Sequence, residues 1–199
     1  RYGFIENLRN RFGTFDKVNS IYQEILSIFK RLPIALINMM GSRNVFCAHG
    51  GIPVHKDDIG TPVKLLDIQD QVNSCVETYN DFDHYSNWIL WGDPREDVFG
   101  IIDDPSTGRS QFGEAAFKRF MDENDCDFMV RAHEKWSNGY KYFFNEKLIS
   151  LFSTSFYSNR PIGQAAFIRL MDGKDPVILR TTESALDEDY SHFREIITP

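Results

Sequence analysis

Val45-Phe46-Cys47-Ala48-His49-Gly50-Gly51-Ile52 is the stretch that decides how this chain is read. A short apolar run of strand length leads straight into a histidine and a glycine pair, so a buried strand ends on a residue able to do chemistry. The same pattern returns at Phe128-Met129-Val130-Arg131-Ala132-His133. Folds of the α/β class place their sites where strands end, so His49 and His133 are the first candidates for one shared site. An imidazole there can offer a ring nitrogen to a borderline-soft divalent ion, and Gly50-Gly51 removes side-chain bulk so that an ion and a phosphate group can approach the backbone. Taken singly, each histidine also fits a hydrogen-bonded structural role.

Working outward, Ile34 to Ile37 is a second apolar run, joined to the first through the turn-forming Gly41-Ser42-Arg43-Asn44. Both read as buried strands. Upstream, Val18, Ile21, Tyr22, Ile25 and Phe29 follow helical spacing after Asp16, read as the N-cap, and the run stops at Pro33. Downstream, Gly60 to Asn87 is mixed and polar, which fits helix with loops. Trp88-Ile89-Leu90-Trp91 reads as another short strand, closed by Gly92-Asp93-Pro94. Asp103 to Gly108 is turn-rich, and Phe112, Ala116, Phe117, Phe120 and Met121 set out a second helix. Tyr140 to Phe144, Leu148 to Phe152, Ala165 to Leu170 and Val177 to Leu179 then follow in quick succession, as in an antiparallel β-meander. The expected fold is therefore α/β and layered around a mixed sheet, over residues 1–181, with 182–199 an acidic tail or surface helix.

Composition narrows the function. The 28 aromatic residues (17 Phe, 8 Tyr, 3 Trp) exclude a disordered chain, and the 199 residues suffice for one core. No stretch approaches the about 18 to 20 apolar residues of a spanning helix, so no membrane partner is expected. A net charge of −7 disfavours a general nucleic-acid binder, whose affinity comes from Lys and Arg. Three cysteines (Cys47, Cys75, Cys126) without a paired spacing suit a reducing, cytoplasmic setting. Seven basic and three acidic residues fall between Arg1 and Val45, against an acidic remainder. That stretch is either a solvated face or a surface for a missing acidic segment.

Three further residues could join the two histidines. Asp93 is a turn residue before Pro94 or a carboxylate at the rim of the site. Tyr157, in the polar stretch Ser153 to Arg160, could donate its phenol to a phosphate oxygen. Arg109 carries the planar donor fork that phosphate recognition favours. His55, His84 and His192 read as solvent-exposed.

In their order, Tyr2-Gly3-Phe4-Ile5-Glu6, Phe46 to Ile52, Ile89 to Pro94, Phe112-Gly113, Arg131-Ala132-His133-Glu134, Gly139 to Phe144 and Leu148 to Tyr157 resemble the PPP family of metal-dependent serine/threonine protein phosphatases. The resemblance covers about Arg1 to Leu170 and implies a metallophosphoesterase-like β-sandwich flanked by helices, ending in the antiparallel meander. It implies two divalent metal ions (Mn, Fe or Zn), with His49 and His133 as ligands, Asp93 catalytic, and Tyr157 and Arg109 near the phosphate. It implies hydrolysis of phosphoserine or phosphothreonine proteins by a hydroxide shared between the metals, and regulatory subunits as partners. Another metallophosphoesterase activity, such as dinucleoside polyphosphate hydrolysis, and a non-catalytic binding fragment are the rival readings.

The family's earlier Asp, His and Asn ligand motifs are absent from these residues. The resemblance therefore implies the carboxyl-terminal part of a catalytic domain, inactive in isolation, whose partner is the missing amino-terminal half. The sequence also departs from the family pattern in three places. Glu134 stands where Gln is usual, Ser155-Phe156-Tyr157-Ser158 replaces the usual loop, and Asp104-Pro105-Ser106 stands where a phosphate-binding Arg is expected. Arg109 is offered for that role.

Overall fold

The computed structural model describes residues 3–29, 31–55, 61, 63–68, 84–103, 109–158, 160–181 and 193–197. Much of the Gly60 to Asn87 reading, most of the Asp103 to Gly108 turn, Cys75 and His192 lie outside the described residues.

Two helices open the chain, α1 (Phe4–Phe12) and α2 (Phe15–Phe29). The sequence reading had no element for α1. Helix α2 begins just ahead of Asp16, where the Thr14 carbonyl accepts the Val18 N–H at 3.0 Å. Asp16 is therefore inside the first turn, where a carboxylate favours the positive end of the helix.

The centre is a five-stranded sheet ordered β1-β2-β6-β8-β7. Its strands are β1 (Ala35–Met40), β2 (Arg43–Ala48), β6 (Phe128–Arg131), β7 (Tyr140–Phe143) and β8 (Leu148–Leu151). Strands β2, β6 and β8 run parallel, while the β1–β2 and β7–β8 pairs are antiparallel. Register sorts the side chains by the two-residue period of a strand. Phe46, Met129, Leu148 and Phe143 form one row across the sheet, and Cys47, Val130, Ile149 and Tyr142 form the next, facing the other way.

The first row packs under α3 (His84–Trp91) and α4 (Glu114–Glu123), in a core with Trp88, Phe112, Phe117 and Phe120. On the other face, Ile149 and Leu151 meet Ala166 and Ile178 from a second, antiparallel sheet. That sheet is ordered β11-β12-β13, from Ala166–Arg169, Val177–Thr181 and Phe193–Ile197. Two smaller elements complete the fold: a sheet of β3 (Asp93–Pro94), β4 (Ile101–Ile102) and β5 (Gln111–Phe112), whose Phe112 joins the helix-side core, and an exposed ribbon of β9 (Phe156–Tyr157) with β10 (Arg160–Pro161). The layered α/β fold with closing antiparallel strands is as the sequence implied.

Several local expectations are corrected. Trp88 to Trp91 is not a strand but the last turn of α3, because four apolar residues fit a buried helix as well as a strand. Phe112 ends β5 rather than starting the second helix, which begins after Gly113. Strand β1 is an edge strand, not a buried one: Leu36 and Met39 are 55% and 79% exposed. The four late strands divide between two sheets, with β8 inserted between β6 and β7. Residues 193–197, expected in a tail or surface helix, pair antiparallel with β12; a partner strand supplies the hydrogen bonds that weak patterning does not reveal. His55, expected in solvent, is half-buried, its ring centre 6.4 Å from that of Tyr85. No helix of the described residues is long and apolar enough to cross a membrane.

Candidate metal centre

Two neighbouring parallel strands deliver the two histidines. His49 follows directly on β2, and His133 lies two residues past β6. The strands stay joined beyond their last paired residues, because the Ala132 N–H donates to the His49 carbonyl at 3.0 Å. The imidazole rings meet edge to face, with centres 5.3 Å apart and planes at 73°. Trp91, at the end of α3, sets its ring edge-on to His133 at 5.2 Å and walls that side of the site. Nothing in the sequence reading had singled out Trp91 as part of it.

Gly50 and Gly51 serve a different purpose from the expected one. The Gly50 N–H donates to the Ile89 carbonyl at 2.7 Å and the Gly51 N–H to the Trp88 carbonyl at 3.0 Å. A Cβ on Gly50 would lie 2.5 Å from the Leu90 carbonyl carbon, and one on Gly51 would lie 2.9 Å from the Gly92 Cα. The glycines let the chain dock against the end of α3; the side-chain volume they omit is occupied by that backbone.

Asp93 is not at a rim. It is 1% exposed, at the start of β3, and its N–H donates to the Ser110 carbonyl at 2.9 Å. Its Oδ1 lies 4.0 Å from His133 Nε2, too far for a hydrogen bond, and accepts one from Arg131 Nη2 at 2.8 Å. Arg131 was read only as part of a motif, yet it organises the site. It is also 1% exposed and donates to the Gly50 and Gly92 carbonyls, Ser150 Oγ and Glu134 Oε2 as well. All five N–H directions of its fork are thus used. Ser150 stands opposite Arg131 in the β6–β8 register, which explains why a serine occurs in a strand that is otherwise apolar.

The electrostatics disfavour the charged form of both imidazoles. Burial pushes His133 down to about 4; Asp93 opposes the shift, while Arg131, His49 and Arg109 add to it. Burial, then Arg131, also lowers His49, although its ring is open to solvent. Burial draws Arg131 below its ordinary value against the pull of Glu134 and Asp93, but a guanidinium starts so high that it stays charged.

The residues fit a divalent ion. His133 Nε2 and Asp93 Oδ2 are buried with no hydrogen-bond partner among the described residues. A neutral imidazole nitrogen and a carboxylate oxygen are the donors such an ion takes. Two imidazoles on one ion, with metal–nitrogen bonds of about 2.0–2.1 Å, have ring centres roughly 5 Å apart. Among the described residues no group of three or more His, Cys, Asp or Glu converges as a ligand set.

Residues 4–136 match the family model of the calcineurin-like phosphoesterases. The chain belongs to that family. Its relatives include a serine/threonine-protein phosphatase of Caenorhabditis elegans, 30% identical over 173 residues, which are 87% of this chain and 35% of that protein. The serine/threonine-protein phosphatase 6 catalytic subunit of the same organism is 30% identical over 177 residues, 87% of this chain and 47% of its own length. A probable serine/threonine-protein phosphatase of Encephalitozoon cuniculi is 28% identical over 78% of this chain and 31% of its own length. The chain thus spans between about a third and a half of these relatives. A solved serine/threonine phosphatase from Saccharomyces cerevisiae shares the fold, with a TM-score of 0.66 and 18% identity over all of this chain and 56% of that one.

Within this phosphoesterase fold, the two remaining candidates are placed differently. Arg109 is exposed and adjoins Ser110, whose carbonyl holds Asp93, and its charge is felt at His133. Tyr157 is 51% exposed in the β9–β10 ribbon, packed edge-on against Phe152 with ring centres 5.6 Å apart. It is not packed into the core.

Proposed function

We propose that this phosphoesterase chain forms part of the active site of a serine/threonine protein phosphatase, acting on phosphoserine or phosphothreonine in proteins. The observation that carries the reading is the convergence of His49 and His133, with a buried and unpartnered His133 nitrogen beside Asp93. Two divalent ions (Mn, Fe or Zn), when bound, supply Lewis-acid polarisation of the phosphoryl group and a water of lowered pKa. His49 and His133 would hold one of them, with Asp93 Oδ2 the further unpartnered donor among the described residues and the other ligands supplied from outside them.

The chain's own groups have separate tasks. Asp93, fixed by Arg131 rather than exposed to substrate, orients the His133 side of the site and balances local charge. Its role is positional more than catalytic. Arg109 adds a positive charge at the mouth, and Tyr157 offers a hydroxyl to a phosphate oxygen. Regulatory subunits are the further partners this reading implies. A cytoplasmic location belongs to the same reading and rests on the sequence alone, whose three cysteines have no paired spacing.

Hydrolysis of a phosphothreonine peptide with excess Mn tests the reading, on the natural polypeptide that contains these residues and on its His133→Ala variant. Metal-dependent phosphate release that disappears in the variant supports it. Release that survives His133→Ala or chelation defeats it, and no release from the natural polypeptide favours a non-catalytic binding role.

A further inference from the structure

His133 sits in a backbone conformation that needs outside support. Its φ of 65° lies in the left-handed region, and the Glu134 N–H donates to the Ala132 carbonyl at 2.8 Å, which closes a three-residue turn around it. Tight turns of this kind are strained for a non-glycine residue and persist only where the surroundings hold them. One side of the turn is pinned through Ala132, whose N–H reaches His49 and whose carbonyl accepts Ser150 Oγ at 3.0 Å. The other side is held by the Glu134 carboxylate.

That carboxylate is shared between two guanidinium groups. Arg95 Nη1 donates to Oε1 at 2.7 Å and Arg131 Nη1 donates to Oε2 at 2.9 Å. Arg131 continues to Asp93 Oδ1, and Arg95 Nη2 lies 3.9 Å from Asp93 Oδ2. Asp93, Arg131, Glu134 and Arg95 therefore form a closed ring of alternating sign. Two guanidinium groups can converge this way only on a group that accepts at both ends; an amide would point N–H at one of them.

We propose that Glu134 is a positioning residue of the site, its carboxylate holding the strained turn that presents His133 to the ion and keeping Arg95 and Arg131 around Asp93. The part that concerns the ion rests on the function proposed above. The part that concerns the turn does not.

The test separates the two. Without metal, the ¹⁵N-labelled chain and its Glu134→Gln variant are compared by imidazole NMR signals and by amide exchange at residue 134. The variant is expected to shift or broaden the His133 ring signals and to exchange that amide at least about tenfold faster, with the amides of β8 unchanged. With Co²⁺ as the probe, its affinity is expected to fall about 10- to 100-fold, the usual effect of losing an outer partner of a ligand. Adding Arg95→Met to Glu134→Gln should cost little more affinity, since both act through one ring. If Glu134→Gln fails to fold, Arg95→Met alone, which leaves Arg131 its other bonds, should still quicken exchange at residue 134. Unchanged His133 signals and unchanged exchange in the variant that folds would overturn the proposal. A loosened turn in a natural polypeptide that contains these residues and the remaining ligands, yet never binds Co²⁺, would uphold the positioning role and overturn the metal reading.

Discussion

The His49 and His133 rings, carried on different strands, meet with their centres 5.3 Å apart, and the Ala132 N–H bound to the His49 carbonyl keeps their strand ends in step. Zinc titration by calorimetry should therefore find one site that needs both. His49→Ala and His133→Ala should each weaken Zn²⁺ binding at least about tenfold, and together no more than the worse of the two. Binding as tight in the double variant as in the unaltered chain would place the ion elsewhere.

Arg131 joins five partners, two of them carboxylates, with no exposure to water. Arg131→Met keeps the bulk but takes from the buried Asp93 its hydrogen-bonded cation, while Glu134 keeps Arg95, and breaking one side of a buried pair costs about 3 to 5 kcal/mol. Chemical denaturation should show a loss of that size or a chain that no longer folds. A loss under about 1 kcal/mol would mean that water already reaches the network.

Gly50 lies against backbone, not against a yielding side chain. Gly50→Ala should lower stability by about 1 to 3 kcal/mol or more, as overpacking does, and should displace the end of α3 that carries Trp91. Tryptophan fluorescence and denaturant midpoints together check both effects. A neutral substitution would show that the Leu90–Trp91 segment moves freely.

Burial, reinforced by Asp125, Asp127 and Cys47, raises the Cys126 thiol to about 11, and burial raises Cys47 as well. The thiolate is the reactive form, so near pH 8 a Cys75→Ser chain should react with iodoacetamide much more slowly when folded than in urea. In the unfolded chain Cys126 ionises near 9.0, while the folded chain keeps its proton until about 11. The stability contributed by the neutral thiol is thus present below pH 9 and is lost as pH rises from about 9 to 11. Cys126→Ser should flatten that part of the stability profile; an unchanged profile would assign the alkaline loss to other groups.

Much of the site was legible because it sits on the most legible elements. Val45 to Ala48 and Phe128 to Val130 are continuous apolar runs, and strands buried on both faces read that way. A histidine just beyond each run is therefore visible in one dimension. So were the spacing of α2 and the turn at Gly41-Ser42, since periodicity and turn chemistry are local.

What the sequence could not decide depends on partners distant along the chain. Trp88 to Trp91 fits strand or helix equally until the Gly50 N–H is seen to bond the Ile89 carbonyl and the Gly51 N–H the Trp88 carbonyl. Whether β1 is central or at an edge depends on which strands flank it, and nothing within Ala35–Met40 records that. Arg131 would be taken for a solvated residue, because burying a charge is unfavourable unless counter-charges meet it; Glu134 is a local partner, but Asp93 reaches it only once β3 and β6 come together. The sequence by itself determined which residues could hold an ion, because that capacity belongs to the imidazole and its strand. The tertiary structure decided how they are held, because hydrogen bonds and ion pairs act over a few ångströms of space, however far apart their members lie along the chain.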